Sequence, residues 1–168
     1  VVLFGGTGWS WNLLSSTLEY DTQTDTWTPI TPATTSPPAR AAHAMVYDAQ
    51  RQRVVLFGGS SRNDTWEYDG NDWVEITPTT MPTERHSQNA AWLPGRGMVV
   101  FGGTDGAGNQ ADTWEFDGTD WTQRFLRVPP KRSNHGAAYD AHRERVVIFG
   151  GRVDSWTWLD DTWEFDGA

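Results

Sequence analysis

A pair of glycines closes a short apolar run at four places in this chain, and this recurrence constrains the fold more than any single residue does. The four copies are VVLFGG at 1–6, VVLFGG at 54–59, MVVFGG at 98–103 and VVIFGG at 146–151. The spacing from one pair to the next is 53, 44 and 48 residues. Self-similarity at such a period indicates one supersecondary unit copied in tandem.

A second phrase follows each glycine pair, and its four copies are STLEYD at 16–21, DTWEYDG at 64–70, DTWEFDG at 112–118 and DTWEFDG at 161–167. A lone tryptophan comes next, then a proline-rich stretch, an arginine and an aromatic residue seven positions later. Alternating apolar side chains predict strands, and Asp-Gly pairs predict hairpin turns. No stretch of ten residues has helical periodicity. Each unit therefore predicts four short strands, as in one blade of a β-propeller.

These residues carry a family resemblance. The double glycine and the spaced pairs Tyr20–Trp27, Tyr68–Trp73 and Phe116–Trp121 resemble the kelch repeat. The phrase at 37–59 is similar to kelch repeats in secreted proteins of bacteria. The resemblance covers the whole chain and implies an all-β, kelch-type β-propeller segment with mostly four antiparallel strands per blade. Because propellers host unrelated activities, the resemblance gives the fold and leaves the function open.

The repeat predicts a single propeller segment with blades at about 1–34, 35–78, 79–127 and 128–168. The first blade lacks its first strand and the last lacks its fourth, so the blades form an open arc or part of a larger ring. Kelch propellers usually close with more blades than this. We expect either a longer natural chain or completion by a second copy, a homo-oligomer in which two copies join head to tail.

Composition excludes several classes of function. The net charge is −9, with Lys131 as the single lysine, which argues against a nucleic-acid partner. No apolar run approaches 18 residues, so no membrane span is predicted. Cysteine is absent, which fits an exported protein and excludes thiolate zinc sites and cysteine nucleophiles. No HExxH, GxSxG or P-loop occurs, and the segment at 105–112 lacks the DxDxDG order of a calcium loop. We predict no catalytic residue, cofactor or metal.

The eleven tryptophans divide into two groups. Seven belong to the repeat and are predicted to wedge blades together: Trp27, Trp66, Trp73, Trp92, Trp114, Trp121 and Trp163. The others form two Trp-x-Trp pairs, Trp9 with Trp11 and Trp156 with Trp158, between the second and third strands of the end blades. On an extended segment both indoles of a pair would point to one side. Such pairs either form a platform for sugar rings or partner side chains, or pack between blades.

One face of the propeller is the candidate binding face. Because strands in a blade alternate in direction, the loops joining the second and third strands emerge on the same face as the connections between blades. These are the long, unequal segments, and variable loops on a rigid scaffold usually carry binding residues. The candidate residues are Trp9, Trp11, Arg40, Arg85, Asp105, Asn109, Arg132, Trp156 and Trp158. The three arginines either contact a ligand carboxylate or bond backbone carbonyls and an adjacent blade.

The sequence favours a non-enzymatic binding module, secreted or extracellular and bacterial, that recognises a protein or a glycan through this face. One alternative is a fragment of a carbohydrate-active or other propeller enzyme, marked by channel carboxylates with a raised pKa. Another is a structural building block of an extracellular assembly. Exposed tryptophans in the two pairs would favour binding.

Overall fold

The computed structural model describes residues 1–124 and 129–166, and within them it contains strands, turns and loops but no helix. Four antiparallel sheets of three, four, four and three strands follow one another along the chain. They form an open arc of four blades, which confirms the predicted fold class. The predicted boundary between the third and fourth blades, at 127 and 128, lies outside the described residues.

Each blade is a meander in which consecutive strands pair. The first blade contains β1 (Val2–Phe4), β2 (Thr17–Asp21) and β3 (Thr26–Ile30). The second contains β4 (Ala44–Asp48), β5 (Arg53–Gly59), β6 (Arg62–Tyr68) and β7 (Trp73–Ile76). The third contains β8 (Asn89–Leu93), β9 (Gly97–Phe101), β12 (Thr113–Phe116) and β13 (Trp121–Arg124), and its long loop holds a small hairpin of β10 (Thr104–Asp105) and β11 (Gly108–Asn109). The fourth contains β14 (Gly136–Asp140), β15 (Arg145–Phe149) and β16 (Thr162–Phe165).

The glycine pairs are required by close approach as well as by backbone conformation. Gly102 and Gly103 have φ values of 62° and 92°, in the left-handed region that favours glycine. A Cβ on Gly102 would lie 2.5 Å from the carbonyl oxygen of Arg132, which belongs to the connection into the next blade. The repeated glycines therefore let each blade come into backbone contact with the blade that follows.

The apolar residues form three clusters, one at each junction between neighbouring blades. At the first junction Trp73 donates from Nε1 to Thr17 Oγ1 at 2.9 Å, and its ring centroid lies 5.2 Å from that of Phe4. At the second junction Trp121 repeats both contacts, with Thr65 Oγ1 at 3.0 Å and the Phe57 ring at 4.7 Å. The outermost strand of a blade thus anchors it on the preceding blade.

Of the seven repeat tryptophans, four are buried, one is exposed, and Trp92 and Trp163 are partly buried against the clusters of the second and third junctions. The side chains of Trp66, Trp73, Trp114 and Trp121 are buried, as the repeat predicted. Trp27 is 49% exposed, although it stacks on Tyr20 at 5.1 Å as its repeats do on their own blades. It faces away from the second blade, so no other blade of the described chain covers it.

Candidate functional site

The loops predicted to share a face are joined to one another by backbone hydrogen bonds. In the first blade, Gly6 N donates to Arg40 O at 2.8 Å, and Arg40 N donates to Leu14 O at 3.0 Å. Equivalent bonds connect Gly59 with Arg85 and Gly103 with Arg132. We call this surface the loop face; it comprises the loops at 5–16, 60–61, 102–112 and 150–161 and the described connections at 31–43, 77–88 and 129–135. The bonds hold these irregular segments rigidly on the scaffold.

The three candidate arginines lie at the base of the loop face with their side chains buried. Arg85 uses its whole guanidinium: Nε donates to Thr83 O, Nη1 to Gly102 O at 3.0 Å, and both terminal nitrogens to Asp112 at 2.6 and 2.9 Å. Arg40 repeats this arrangement with Asp64. Arg132 repeats it with Asp161.

The arrangement corresponds to the second of the two interpretations, in which the arginines bond carbonyls and carboxylates of their own blade. Arg85 uses all five of its N–H donors inside the fold, and Arg40 and Arg132 each use four of their five. All three side chains are buried, so a ligand carboxylate has no access to them. We therefore leave Arg40, Arg85 and Arg132 out of the binding surface, and this corrects the ligand-contact interpretation.

Each aspartate that pairs with an arginine also accepts a hydrogen bond from the tryptophan two residues later in its phrase. Trp66 Nε1 donates to Asp64 Oδ2 at 2.8 Å, and the third and fourth blades repeat the bond. Hydrogen bonds from Arg132 and Trp163 hold the pKa of Asp161 at about 2, despite the opposing effect of burial. The repeated carboxylates are therefore ionised structural groups.

Across the described residues, every aspartate or glutamate with a clearly shifted pKa has it lowered. No aspartate or glutamate in this part of the chain has the clearly raised pKa that would mark a catalytic carboxylate. Residues 1–124 and 129–166 also contain no cluster of three or more His, Asp or Glu side chains arranged to hold a metal ion. The part of the chain that the structure describes contains no helix that could span a membrane.

The side chains of both Trp-x-Trp pairs are exposed at the tips of the loop face. The exposed fractions are 104% for Trp9, 87% for Trp11, 90% for Trp156 and 69% for Trp158. The alternative in which these indoles pack between blades is therefore not what the structure shows. Four large aromatic side chains project from loops that the base of the face holds in place.

The two loops present their tryptophans on turns, and the expected extended geometry is wrong for the first pair. Gly8 N donates to Asn12 O at 2.9 Å and Trp11 has a φ of 60°, so the backbone bends between the two indoles. In the second loop Asp154 accepts from the backbone N–H groups of Trp156 and Thr157 at 2.8 Å. Sequence alternation did not reveal these turns, because the first is closed by the backbone bond from Gly8 N to Asn12 O and the second by the side chain of Asp154.

Asp105 and Asn109 connect loops to one another. The carboxylate of Asp105 accepts from Thr83 Oγ1 at 2.9 Å and from Gln110 Nε2 at 2.8 Å. The Asn109 amide donates to the carbonyl oxygens of Arg152 and Val153, both at 2.8 Å. Both candidates therefore lie on the loop face, where they position the fourth-blade loop that carries Trp156 and Trp158.

A cleft of about 340 Å³ lies between the third and fourth blades beside this loop. His86, Lys131 and Arg152 contribute to its lining, together with Asn109 and Asp154. In the described part of the chain neither Lys131 nor Arg152 makes an ion pair within 4 Å. Backbone hydrogen bonds lower the pKa of Asp154, and the charge of Lys131 adds to that effect.

Lys131 and Arg152 line the cleft but were not among the site residues predicted from the sequence. The available signal was that Lys131 is the single lysine and that Arg152 directly follows the last glycine pair. Lys131 and Arg152 together outnumber the single carboxylate of Asp154 in this cleft, which gives the cleft an excess of positive charge in a chain with a net charge of −9.

Comparison with known proteins identifies the repeat. A family profile described as the KLHDC2/KLHL20/DRC7 Kelch-repeats domain matches residues 1–166. The chain is also similar to dynein regulatory complex subunit 7 of Chlamydomonas reinhardtii, with 37% identity over 75 residues. That match covers 40% of this chain and 6% of the relative, so the chain spans a small part of the relative's length.

Proposed function

The chain belongs to the kelch-repeat family described as KLHDC2/KLHL20/DRC7, and from that premise we propose that it binds a protein partner on its loop face. Kelch-repeat domains are generally protein-interaction modules. The observation that carries the choice of face is the exposure of Trp9, Trp11, Trp156 and Trp158 at its loop tips. Tryptophan is among the residues that most often dominate binding energy at protein interfaces.

The stiffness of the loops supports the same proposal. The turn from Gly8 to Asn12 and the turn capped by Asp154 are closed by their own hydrogen bonds. A loop already ordered in its free state loses little conformational entropy when a partner docks. Trp156 and Trp158 are further fixed because Asn109 bonds the loop that carries them.

The cleft between the third and fourth blades indicates the charge of the partner. Lys131 and Arg152 line it without ion-pair partners, and Trp158 forms an isolated backbone bridge with Arg152. A segment that places an aromatic or aliphatic side chain on the indoles and a carboxylate in the cleft would use both features. Association should therefore weaken at high salt, since exposed charges are screened beyond about 10 Å at 0.1 M ionic strength.

A glycan is the second candidate, because exposed indole faces also stack on sugar rings. The name of the relative places that protein in a regulatory complex of subunits, which supports a protein as the partner here. The two candidates differ in their dependence on Lys131 and Arg152. A neutral glycan would bind equally well after both cations are removed, whereas an acidic protein segment would not.

The test is a selection of displayed random peptides, run beside a panel of neutral and acidic glycans, on the 168-residue protein. We expect enriched peptides that combine an aromatic residue with acidic residues. A loop-face variant with Trp9, Trp11, Trp156 and Trp158 all changed to alanine should lose binding while its unfolding midpoint is kept. The matched control is Trp27→Ala, which removes an exposed tryptophan elsewhere and should bind normally. Binding that survives the loop-face variant contradicts the proposal.

A further inference from the structure

The cleft between the third and fourth blades carries charges that the repeat does not account for. Lys131 directly precedes a buried repeat arginine, and Arg152 directly follows a repeat glycine pair. At the two preceding junctions the same two positions hold no cation: they are occupied by Glu84 with Thr104 and by Ala39 with Ser60. The paired cations are therefore a departure from the scaffold, located between two blades that the structure describes.

Backbone hydrogen bonds hold the two cations on a rigid frame. Arg152 N donates to Ser133 O at 2.9 Å and Ser133 N donates to Arg152 O at 3.0 Å, which joins the fourth-blade loop to the connection that carries Lys131. From the third-blade hairpin, the Asn109 amide donates to Arg152 O at 2.8 Å. Because these segments are already ordered, a ligand that enters the cleft does not have to order them.

The other polar groups of the lining are largely used inside the fold. Thr104 Oγ1 donates to Asn109 Oδ1 at 2.6 Å, and the Asn109 amide donates to two carbonyl oxygens of the fourth-blade loop. The Asp154 carboxylate accepts two backbone N–H groups of its own turn. Within the described residues Lys131 and Arg152 make no ion pair within 4 Å, so their side-chain N–H groups remain free for a ligand.

These free donors match a dianion better than a single carboxylate. A carboxylate carries one negative charge and would balance one of the two cations. A phosphate monoester carries a charge of about −1.5 to −2 at pH 7 and has three acceptor oxygens. The planar guanidinium of Arg152 can donate to two of these oxygens, while the ammonium of Lys131 acts as a compact charge on the third.

The position of the cleft indicates that the phosphate belongs to a peptide segment. The cleft has a volume of about 340 Å³, and Arg152 in its lining forms a backbone bridge with Trp158. The exposed indole of Trp158 therefore lies next to the cleft along the same loop. A residue that fills the cleft would have chain neighbours within reach of an aromatic surface.

We infer that the cleft binds a phosphorylated serine or threonine of the partner segment. The inference rests on the proposed function, since it identifies the acidic group that the same loop face recognises. Lys131 and Arg152 hold the phosphate, and a neighbouring apolar side chain of the segment packs on the exposed indoles. Phosphorylation of the partner then determines how tightly it binds.

The test uses three fluorescein-labelled peptide pools that are degenerate on both sides of one fixed central residue. That residue is phosphoserine, glutamate or serine, and binding to the 168-residue protein is followed by fluorescence polarisation. We expect the phosphoserine pool to bind at least about 10-fold more tightly than the glutamate pool. The glutamate pool in turn should bind more tightly than the serine pool.

Substitutions in the cleft locate the preference. Lys131→Gln and Arg152→Gln should each reduce the preference for phosphoserine, and the double variant should lose it. Arg152→Lys should keep part of it, since the charge remains and the planar fork is lost. Arg62→Gln is the matched control, because its side chain is exposed, makes no ion pair among the described residues and changes the net charge by the same amount. All four proteins should keep the wild-type unfolding midpoint, since the cleft is held by main-chain bonds.

Each outcome decides between distinct explanations. A glutamate pool that binds as tightly as the phosphoserine pool overturns the inference and leaves the proposed function standing. A phosphoserine preference that persists in the double variant also overturns it, because the phosphate then binds elsewhere. Inorganic phosphate should compete only weakly, since it cannot contact the indoles; competition as strong as that of unlabelled phosphoserine peptides would make the cleft a site for free phosphate and overturn the assignment to a segment. Absence of binding by all three pools contradicts the proposed function and the inference together.

Discussion

The base and the tips of the loop face contain the same kinds of side chain in opposite situations. At the base, arginine and tryptophan recur in successive blades, are buried, and satisfy one another through a shared aspartate. At the tips, tryptophans occur only on the end blades and are exposed. The comparison teaches that repetition identifies the scaffold here, and that departures from the repeat identify the surface available to a partner.

The physical reason is that a repeated side chain meets a partner that is itself repeated at a fixed position. Arg85 finds Asp112 and Gly102 in its own blade, and the same geometry is available to Arg40 and Arg132. An unrepeated side chain such as Trp156 has no equivalent partner position in the next unit. It either packs locally or remains free for another molecule.

The largest expected loss of stability comes from removing a buried arginine at the base of the loop face. Arg85→Ala removes the guanidinium that donates two hydrogen bonds to the Asp112 carboxylate. Removing one partner of a buried ion pair lowers the free energy of unfolding by about 3–5 kcal/mol. Urea unfolding should show the loss as a lower midpoint. Arg85→Lys, which keeps the charge and loses the fork, should fall between Arg85→Ala and the wild type. A stable Arg85→Ala protein that fails to bind its partner would instead move this arginine into the binding site.

Emptying a buried tryptophan site at the base should cost nearly as much. Trp114→Ala removes a large side chain from the second junction, and such substitutions cost about 3–5 kcal/mol. Trp114→Phe keeps most of the ring volume and loses only the bond from Nε1 to Asp112, so its cost should be about 1 kcal/mol. Equal losses in the two variants would mean that the hydrogen bond, and not the packing, dominates at this position.

Acid should weaken the junctions through two repeated histidines. Burial, with the nearby charge of an arginine, lowers the pKa of both His43 and His135 to about 4 from an ordinary value of 6.5. The unfolded chain therefore binds protons first as the pH falls, so stability is full above pH 6.5 and declines towards pH 4. The loss at pH 4 should be about 2–3 kcal/mol for each histidine.

The third blade provides the control for this effect. Gln88 occupies the same repeat position and donates to Phe57 O at 3.0 Å without titrating. Changing His43 and His135 to glutamine together should flatten the stability curve between pH 4 and 6.5, measured by urea unfolding at each pH. A slope unchanged in that variant would assign the acid sensitivity to other groups.

The smallest expected loss of stability comes from substituting an exposed tryptophan at the tips of the loop face. Trp156→Ala should change the free energy of unfolding by less than about 0.5 kcal/mol, because surface substitutions away from a packed site usually do. The same substitution should reduce capture of the selected peptide by about 30-fold, the range of an interface anchor. A substantial loss of stability would mean that the side chain packs against the protein in solution and that base and tips are not distinct.

The sequence predicted the blades well because their signal is repeated. The glycine pairs, the DTWE phrases and the Asp-Gly turns predict sheets of three, four, four and three strands, and the structure has these sheets. Gln88, at the repeat position of His43, donates to the carbonyl oxygen of Phe57 in the preceding blade. Periodicity works here because each copy independently specifies the same local structure.

The candidate face was harder to predict because its contacts join residues far apart in sequence. Whether Arg132 would contact Asp161 or a ligand depends on a bidentate ion pair between two residues that are 29 positions apart in the sequence. The pairing of Asn109 with Arg152 and Val153 likewise depends on how neighbouring blades dock. Export, a bacterial origin and an enzymatic or structural alternative stay predictions from the sequence.

The buried tryptophans at the base and the exposed tryptophans at the tips should differ in their fluorescence emission. Buried indoles that donate to carboxylates or threonines, such as Trp114 and Trp121, emit from an apolar, rigid environment. The indoles of Trp9 and Trp156 meet water and any dissolved quencher directly. Acrylamide should therefore quench the long-wavelength emission selectively, and a docked partner should protect that emission without altering the rest of the spectrum. Intrinsic fluorescence can thus follow binding and unfolding as separate signals in a single unlabelled sample.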